Sequence, residues 1–244
     1  MLLIIGILLF FIALIPYIIY FFGISFGNKT SESRFPKEYP KISIIMSAYN
    51  EERVIEDRII NIRNCHYPHD SYEIIFIDDR SSDNTLYCAK KALEKSGIAF
   101  KIIANNERLG TNRSYNHAIK NAKYPIIITT DADVFFDQDA INYLIGKLVS
   151  DPNIAAVTGE LRPFLNENST TNLECAYRSY YGRMCDWEST VDSTYNFNGA
   201  LVAFRTDLIH RIDDKRGSDD ANTAFEAIRK GYRAVYEIRA VVYE

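Results

Sequence analysis

From Lys41 onward the chain alternates short, β-rich apolar runs with segments of helical period, an order that restricts it to a small set of folds. "ISIIMSA" (42–48), "EIIFIDD" (73–79), "FKIIAN" (100–105) and "PIIITTD" (125–131) read as strands. Between them, "EERVIEDRIINIRN" (51–64), "DNTLYCAKKALEK" (83–95) and "TNRSYNHAIKNA" (111–122) read as helices. Strands separated by helices predict a mostly parallel, Rossmann-like α/β sheet, and such sheets bind ligands outside the carboxyl ends of their strands. Polar residues gather at just those ends: Ser47, Tyr49, Asn50 and Glu51, then Asp78 to Ser82, Asn105 to Gly110, and Asp131 to Asp133. Any one cluster is explained by helix caps and turns. Their recurrence at the same end of successive strands predicts one binding rim.

The last cluster is the most informative. Asp131 and Asp133 follow the apolar run Ile126 to Ile128, and two carboxylates so close repel unless a cation joins them. Oxygen ligands suit Mg²⁺ or Mn²⁺, and Mg²⁺ sites commonly combine one or two carboxylates with substrate phosphates. A nucleotide diphosphate is therefore the expected companion.

Leu2 to Phe22 carries no charge, and at about 1.5 Å per residue it spans roughly 31 Å, the thickness of a bilayer core. Residues 1–22 are expected to form a transmembrane helix, bent at Pro16, since a signal peptide would show a basic start and a small-residue cleavage site. Lys29, Arg34, Lys37 and Lys41 follow the apolar stretch, so the positive-inside rule places the remainder in the cytoplasm. Residues 23–40 then form a linker and 41–244 the soluble domain. A net charge of -4 without a basic block disfavours nucleic acid as a partner. Cys65, Cys88, Cys175 and Cys185 lack CxxC or metal-ligand spacing and read as reduced, mostly buried thiols.

Taken in order, "ISIIMSAYNEERVI", "IIFIDDRSSDNT", "NERLGTNRSYNHAIKNAK", "IITTDADVFF", "NGALVAFRTDLI" and "SDDANTAFEAIRKGYRAVY" resemble the family 2 glycosyltransferases of the GT-A nucleotide-diphospho-sugar fold. The resemblance covers residues 41 to about 240. It implies an inverting transfer of a sugar from a nucleotide-diphospho-sugar to an acceptor. Ser47 and Asp79 match positions near the nucleobase, Arg113 a basic residue near the donor, Asp131 a carboxylate near the ribose, and Asp133 the metal ligand. Asp219 and Asp220 match an acidic pair that supplies the catalytic base, with Asp220 the better match. The pair departs from the usual Glu-Asp, so the choice between them stays open. Both precede a helical pattern with Ala224, Phe225 and Ile228 on one side, where a first-turn aspartate is kept ionised by the helix dipole.

Trp187, in an aromatic and polar stretch, is an acceptor platform on one reading and core packing on the other. His66 and His69 read as a solvated loop, and His117 and His210 as structural. A nucleotidyltransferase would show a glycine-rich first loop, whereas here it is "SAYNEERV". An inactive membrane scaffold would not need Asp79, Asp131, Asp133 and Asp220 together. The anchor implies a lipid-linked or growing polysaccharide acceptor. Processive family members carry a QxxRW motif and more membrane helices beyond the region of Tyr232 to Glu244, which raises the expectation that the sequence is a fragment.

Overall fold

A computed structural model of the chain describes residues 2–27, 35–164, 169–215 and 220–244. Helix α1 (Leu2–Phe26) is followed by β1 (Ile42–Ala48), α2 (Ile55–Arg63), β2 (Tyr72–Asp78), α3 (Thr85–Ser96), β3 (Ala99–Ala104) and α4 (Thr111–Ile119). Then come β4 (Ile126–Asp131), β5 (Phe135–Phe136), α5 (Ala140–Val149), β6 (Ile154–Arg162), α6 (Ser169–Val191), β7 (Val202–Arg205), α7 (Asn222–Arg229) and β8 (Arg233–Tyr243). The strands form one eight-stranded sheet in the order β3-β2-β1-β4-β7-β6-β8-β5. β3, β2, β1 and β4 run parallel, as the alternation predicts. β7 enters antiparallel to both β4 and β6, and β5 antiparallel to β8, so the sheet is mixed.

The period of two along β1 explains its central place. Ile42, Ile44 and Met46 face the core beneath α2, α3 and α5, while Ile45 joins Ile75, Ile127, Tyr115 and Ala224 in a second core beneath α4 and α7. Each buried isoleucine contributes roughly 1.5–3 kcal/mol, and a one-residue slip would exchange the two faces, so register is tightly set. That register puts Ser47 beside Asp131 across the parallel pair.

Several boundaries differ from the sequence reading. α2 begins at Ile55 rather than Glu51, because Asn50 takes a left-handed conformation (φ 59) and the Glu51 N–H is drawn to Thr85 Oγ at 2.7 Å. α1 extends through Phe26, so Gly23 to Phe26, read as linker, are helical. Part of the remaining linker is packed down: Phe35 meets Tyr143 edge-on at 5.0 Å and Tyr39 meets Tyr67 at 5.2 Å. The strand β5, unforeseen in "VFFDQDA", turns the chain back after Asp133 to pair with the end of β8. Cys65 and Cys185 are buried thiols, while Cys88 and Cys175 are only half-buried.

Candidate active site

Asp131 is the last residue of β4, and the turn through Ala132 lifts Asp133 into solvent. Beneath them lies Arg58 of α2, fully buried. Its guanidinium donates to Thr130 Oγ at 2.8 Å and Asn61 Oδ1 at 2.7 Å, approaches the Asp131 carbonyl at 3.4 Å, and stacks on Phe136 at 3.9 Å. Asn61 completes the clamp by pairing with both the N–H and the carbonyl of Phe136, at 2.8 and 2.9 Å. The turn carrying Asp133 is thus held from below at both ends. Burial lowers the guanidinium to about 10, leaving a cation under the two aspartates, which draw its value back upward.

Asp220 arrives from the other side of the sheet. Asn116 of α4 bonds the backbone of Ile212 in both directions, at 2.8 and 2.9 Å, and Asn222 donates to the Asp213 carbonyl at 2.7 Å. These contacts fasten the segment leading into α7 against α4. Tyr115, also on α4, reaches Asp131 Oδ1 at 3.4 Å. A Cβ built on Gly199 would lie 2.7 Å from Asp220 Oδ1 and 3.4 Å from Asp131 Oδ2, so both carboxylates converge on the one residue without a side chain. Burial, reinforced by Asp133 and Asp220, pushes the Asp131 carboxyl up to about 6. Burial also raises Glu51, with Asp133 and Asp83 adding to it, so Glu51 belongs to the same negative field.

The other sequence-identified residues sort by position. Asp79 is buried and accepts from Leu109 N, Gly110 N, Asn105 Nδ2 and Ser114 Oγ at 2.8–3.1 Å. Burial alone would raise its carboxyl, but these hydrogen bonds outweigh it and hold it below the ordinary value. Asp79 therefore organises the loop before α4, with Oδ2 the less occupied oxygen. Its neighbour Asp78 has a buried Oδ1 without a hydrogen-bond partner in the structure. Asn50 accepts from Ser82 N at 2.8 Å, tying the first two loops together, and Arg108 stacks on Tyr49 at 3.7 Å. Arg113 is more than half exposed and lies 3.7 Å from Asp214. Asp219 falls outside the described residues. Asp220 precedes α7, which starts at Asn222, rather than occupying its first turn. The buried face of α7 is Asn222, Thr223, Ala224 and Ala227, whereas Phe225 and Ile228 are exposed, Phe225 stacking on Tyr195 at 6.0 Å. Trp187 packs against α1 and is not among the residues lining the cleft described next.

A cleft of about 400 Å³ opens beside Asp131 and Asp220 and runs to Tyr177, Arg178 and Tyr181 of α6 and to Glu160 and Tyr236. Glu160 is buried, takes a short hydrogen bond from the Tyr236 hydroxyl, and is raised by burial against the lowering effect of that bond and of Arg162. Sequence reading missed this wall and Arg58. Arg58 had no signal beyond a charge inside an otherwise amphipathic helix, while Tyr177 and Tyr181 stand four apart, a helical-face spacing.

A divalent ion suits this chemistry, since oxygen donors of like charge are gathered over one buried cation. Among the described residues no three carboxylates, histidines or cysteines are already grouped as a complete ligand set.

A half-parallel, doubly covered sheet with carboxylates at its central strand end and a cleft against a long helix is the GT-A arrangement. The chain belongs to glycosyl transferase family 2, whose model matches residues 43–211. It is 29% identical over 211 residues to poly-beta-1,6-N-acetyl-D-glucosamine synthase of Staphylococcus aureus, covering 84% of this chain and 50% of that protein. It is 28% identical over 218 residues to the probable glycosyltransferase YdaM of Bacillus subtilis, covering 85% and 51%. The chain thus spans about half the length of these relatives. Among solved structures, the mannosyltransferase PcManGT of Pyrobaculum calidifontis, in complex with GDP-Man and Mn²⁺, superposes with a TM-score of 0.81 at 27% identity, over 94% of this chain and 64% of that one. S. aureus TarS in complex with UDP-GlcNAc shares the fold, with a TM-score of 0.62 at 14% identity over 84% and 58%.

Proposed function

We propose that the chain is a membrane-anchored, metal-dependent inverting glycosyltransferase that moves a sugar from a nucleotide-diphospho-sugar to a lipid-linked or growing glycan acceptor. The observation that carries this reading is the convergence of Asp131 and Asp220 on Gly199 at the mouth of an aromatic-walled cleft. The nucleotide lies across the strand ends, with Ser47, Tyr49, Asn50, Glu51 and Arg113 around it, Asp79 toward the base through Oδ2, and Asp131 toward the ribose. Asp133 would hold Mg²⁺ or Mn²⁺, and the ion, when bound, would supply charge stabilisation for the departing diphosphate. The solved relative in complex with GDP-Man and Mn²⁺ supports the use of a divalent ion with a nucleotide sugar.

Asp220 takes the proton of the acceptor hydroxyl, whose oxygen attacks the anomeric carbon from the side opposite the departing diphosphate. One C–O bond forms as the other breaks, and the configuration inverts. The uncharged helix α1, 25 residues long, anchors the domain, and the basic residues after it put the domain on the cytoplasmic side. A panel of nucleotide sugars assayed for nucleoside diphosphate release, with Mn²⁺ and membranes supplying acceptor, tests the reading. The wild type should turn over at least one donor, and Asp220→Asn should lose about 10²-fold or more while still binding nucleotide. Full activity in Asp220→Asn, with Asp219→Asn inactive, would move the base to Asp219. Activity in both would remove the base from this segment.

A further inference from the structure

Most side chains of α1 are exposed, yet its last turns meet the domain on α6. The Tyr20 hydroxyl donates to Glu188 Oε1 at 2.7 Å, and the Tyr20 ring meets the Trp187 indole edge-on at 5.1 Å. Gly23 and Gly27, four apart and so on one helix face, lie directly under that indole. A Cβ on Gly23 would come within 2.1 Å of the ring, and one on Gly27 within 2.6 Å. Glu188 is buried, and its other oxygen is taken by Thr194 Oγ at 2.5 Å and Asn196 Nδ2 at 3.2 Å. The α1 tyrosine thus satisfies the remaining oxygen of a buried carboxylate, and a flat indole is seated on bare backbone.

We propose that Tyr20, Gly23 and Gly27 with Trp187 and Glu188 form an intramolecular dock that fixes the domain to its membrane helix and sets Trp187 at the edge of the bilayer's hydrocarbon core. The depth follows from the helix. Gly23 is nine residues past the middle of Leu2–Phe26, about 13 Å along the axis, against a half-thickness of roughly 15 Å. Tryptophan favours that level, with its ring in the apolar zone and its N–H toward water. The same α6 lines the cleft with Tyr177, Arg178 and Tyr181, no more than about 15 Å of helix from Trp187. The dock therefore holds the far wall of the cleft beside the membrane surface, where a membrane-borne acceptor presents its head. That last consequence rests on the transferase reading, whereas the dock itself rests on the contacts alone.

Trp187 is the chain's single tryptophan, so its fluorescence reports the dock directly. The full chain is reconstituted, without donor or acceptor, in phosphatidylcholine vesicles whose acyl chains carry bromine either near the headgroup or near the chain ends. Bromine near the headgroup should quench the emission at least about twofold more than bromine near the chain ends. Gly23→Leu/Gly27→Leu, which alters only the last turn of α1 and the residue that follows it, should lose at least half of that quenching. No quenching in the wild type, stronger quenching from the chain ends, or equal quenching in the double variant would each overturn the dock. Because no sugar chemistry takes place in the assay, the outcome is independent of whether the chain is a transferase.

Discussion

Asp131→Asn should stabilise the metal-free protein above about pH 6 while abolishing its use of a donor. The folded carboxyl stands near 6 against an ordinary 3.8, raised by burial and then by Asp133 and Asp220. Two pKa units correspond to about 3 kcal/mol. The sign follows from the direction. A carboxyl raised on folding favours the protonated state, so the wild type loses stability as pH rises from about 4 through about 6, and the deficit is constant above that. Asparagine keeps an acceptor for Tyr115 but carries no charge, which removes the deficit. Thermal unfolding of the full chain in mild detergent with a chelator, at pH values from about 4 to 8, reads the difference. At about 2–4 °C per kcal/mol, the variant should melt roughly 6–12 °C higher at neutral pH, with the gap closing near pH 4. A pH-independent gap, or a less stable variant at neutral pH, would refute the claim that burial, with Asp133 and Asp220 beside it, disfavours the charged Asp131 carboxylate at this strand end.

Two further substitutions probe the same constellation. Gly199→Ala introduces a methyl 2.7 Å from Asp220 Oδ1, so transfer should fall by about 10²-fold with little change in melting temperature or nucleotide affinity; normal transfer would mean that Asp220 is not positioned there during the reaction. Arg58→Met removes the cation beneath the aspartates, and calorimetry should show Mn²⁺-dependent nucleotide binding weakened by about 10–100-fold, the usual range for groups that orient metal ligands. Unchanged affinity would leave Arg58 a packing residue only.

The part of this fold that was legible in the sequence is the part governed by local rules. The four parallel strands follow from short, nearly continuous apolar runs separated by helical segments, and the resulting rim gathers Ser47, Asp79 and Asp131 because parallel strands all end at one edge. What the sequence did not show depends on long-range contacts. The antiparallel entry of β7 and the return of β5 to β8 are pairings between distant segments, and two-residue β5 has no pattern of its own. Asp220 looked like a first-turn residue of a helix, but α7 starts two residues later, at Asn222, whose side chain is engaged with the Asp213 carbonyl. Phe225 and Ile228 looked like the core face, yet the small side chains Ala224 and Ala227 are the ones that fit against the sheet. Trp187 could be read as sugar platform or packing residue, and only the placement of Gly23 and Gly27 shows the surface it covers.

The central claim is that Asp133 brings a divalent ion to a nucleotide diphosphate at the end of β4. Isothermal titration of the full chain with GDP and with UDP, each with Mn²⁺ and with chelator, for the wild type and for Asp133→Ala, tests it most directly. At least one nucleotide should bind the wild type only when Mn²⁺ is present, and Asp133→Ala should lose that binding while melting within a few degrees of the wild type. Equal binding with and without the metal, or metal-dependent binding that survives in Asp133→Ala, would contradict the account.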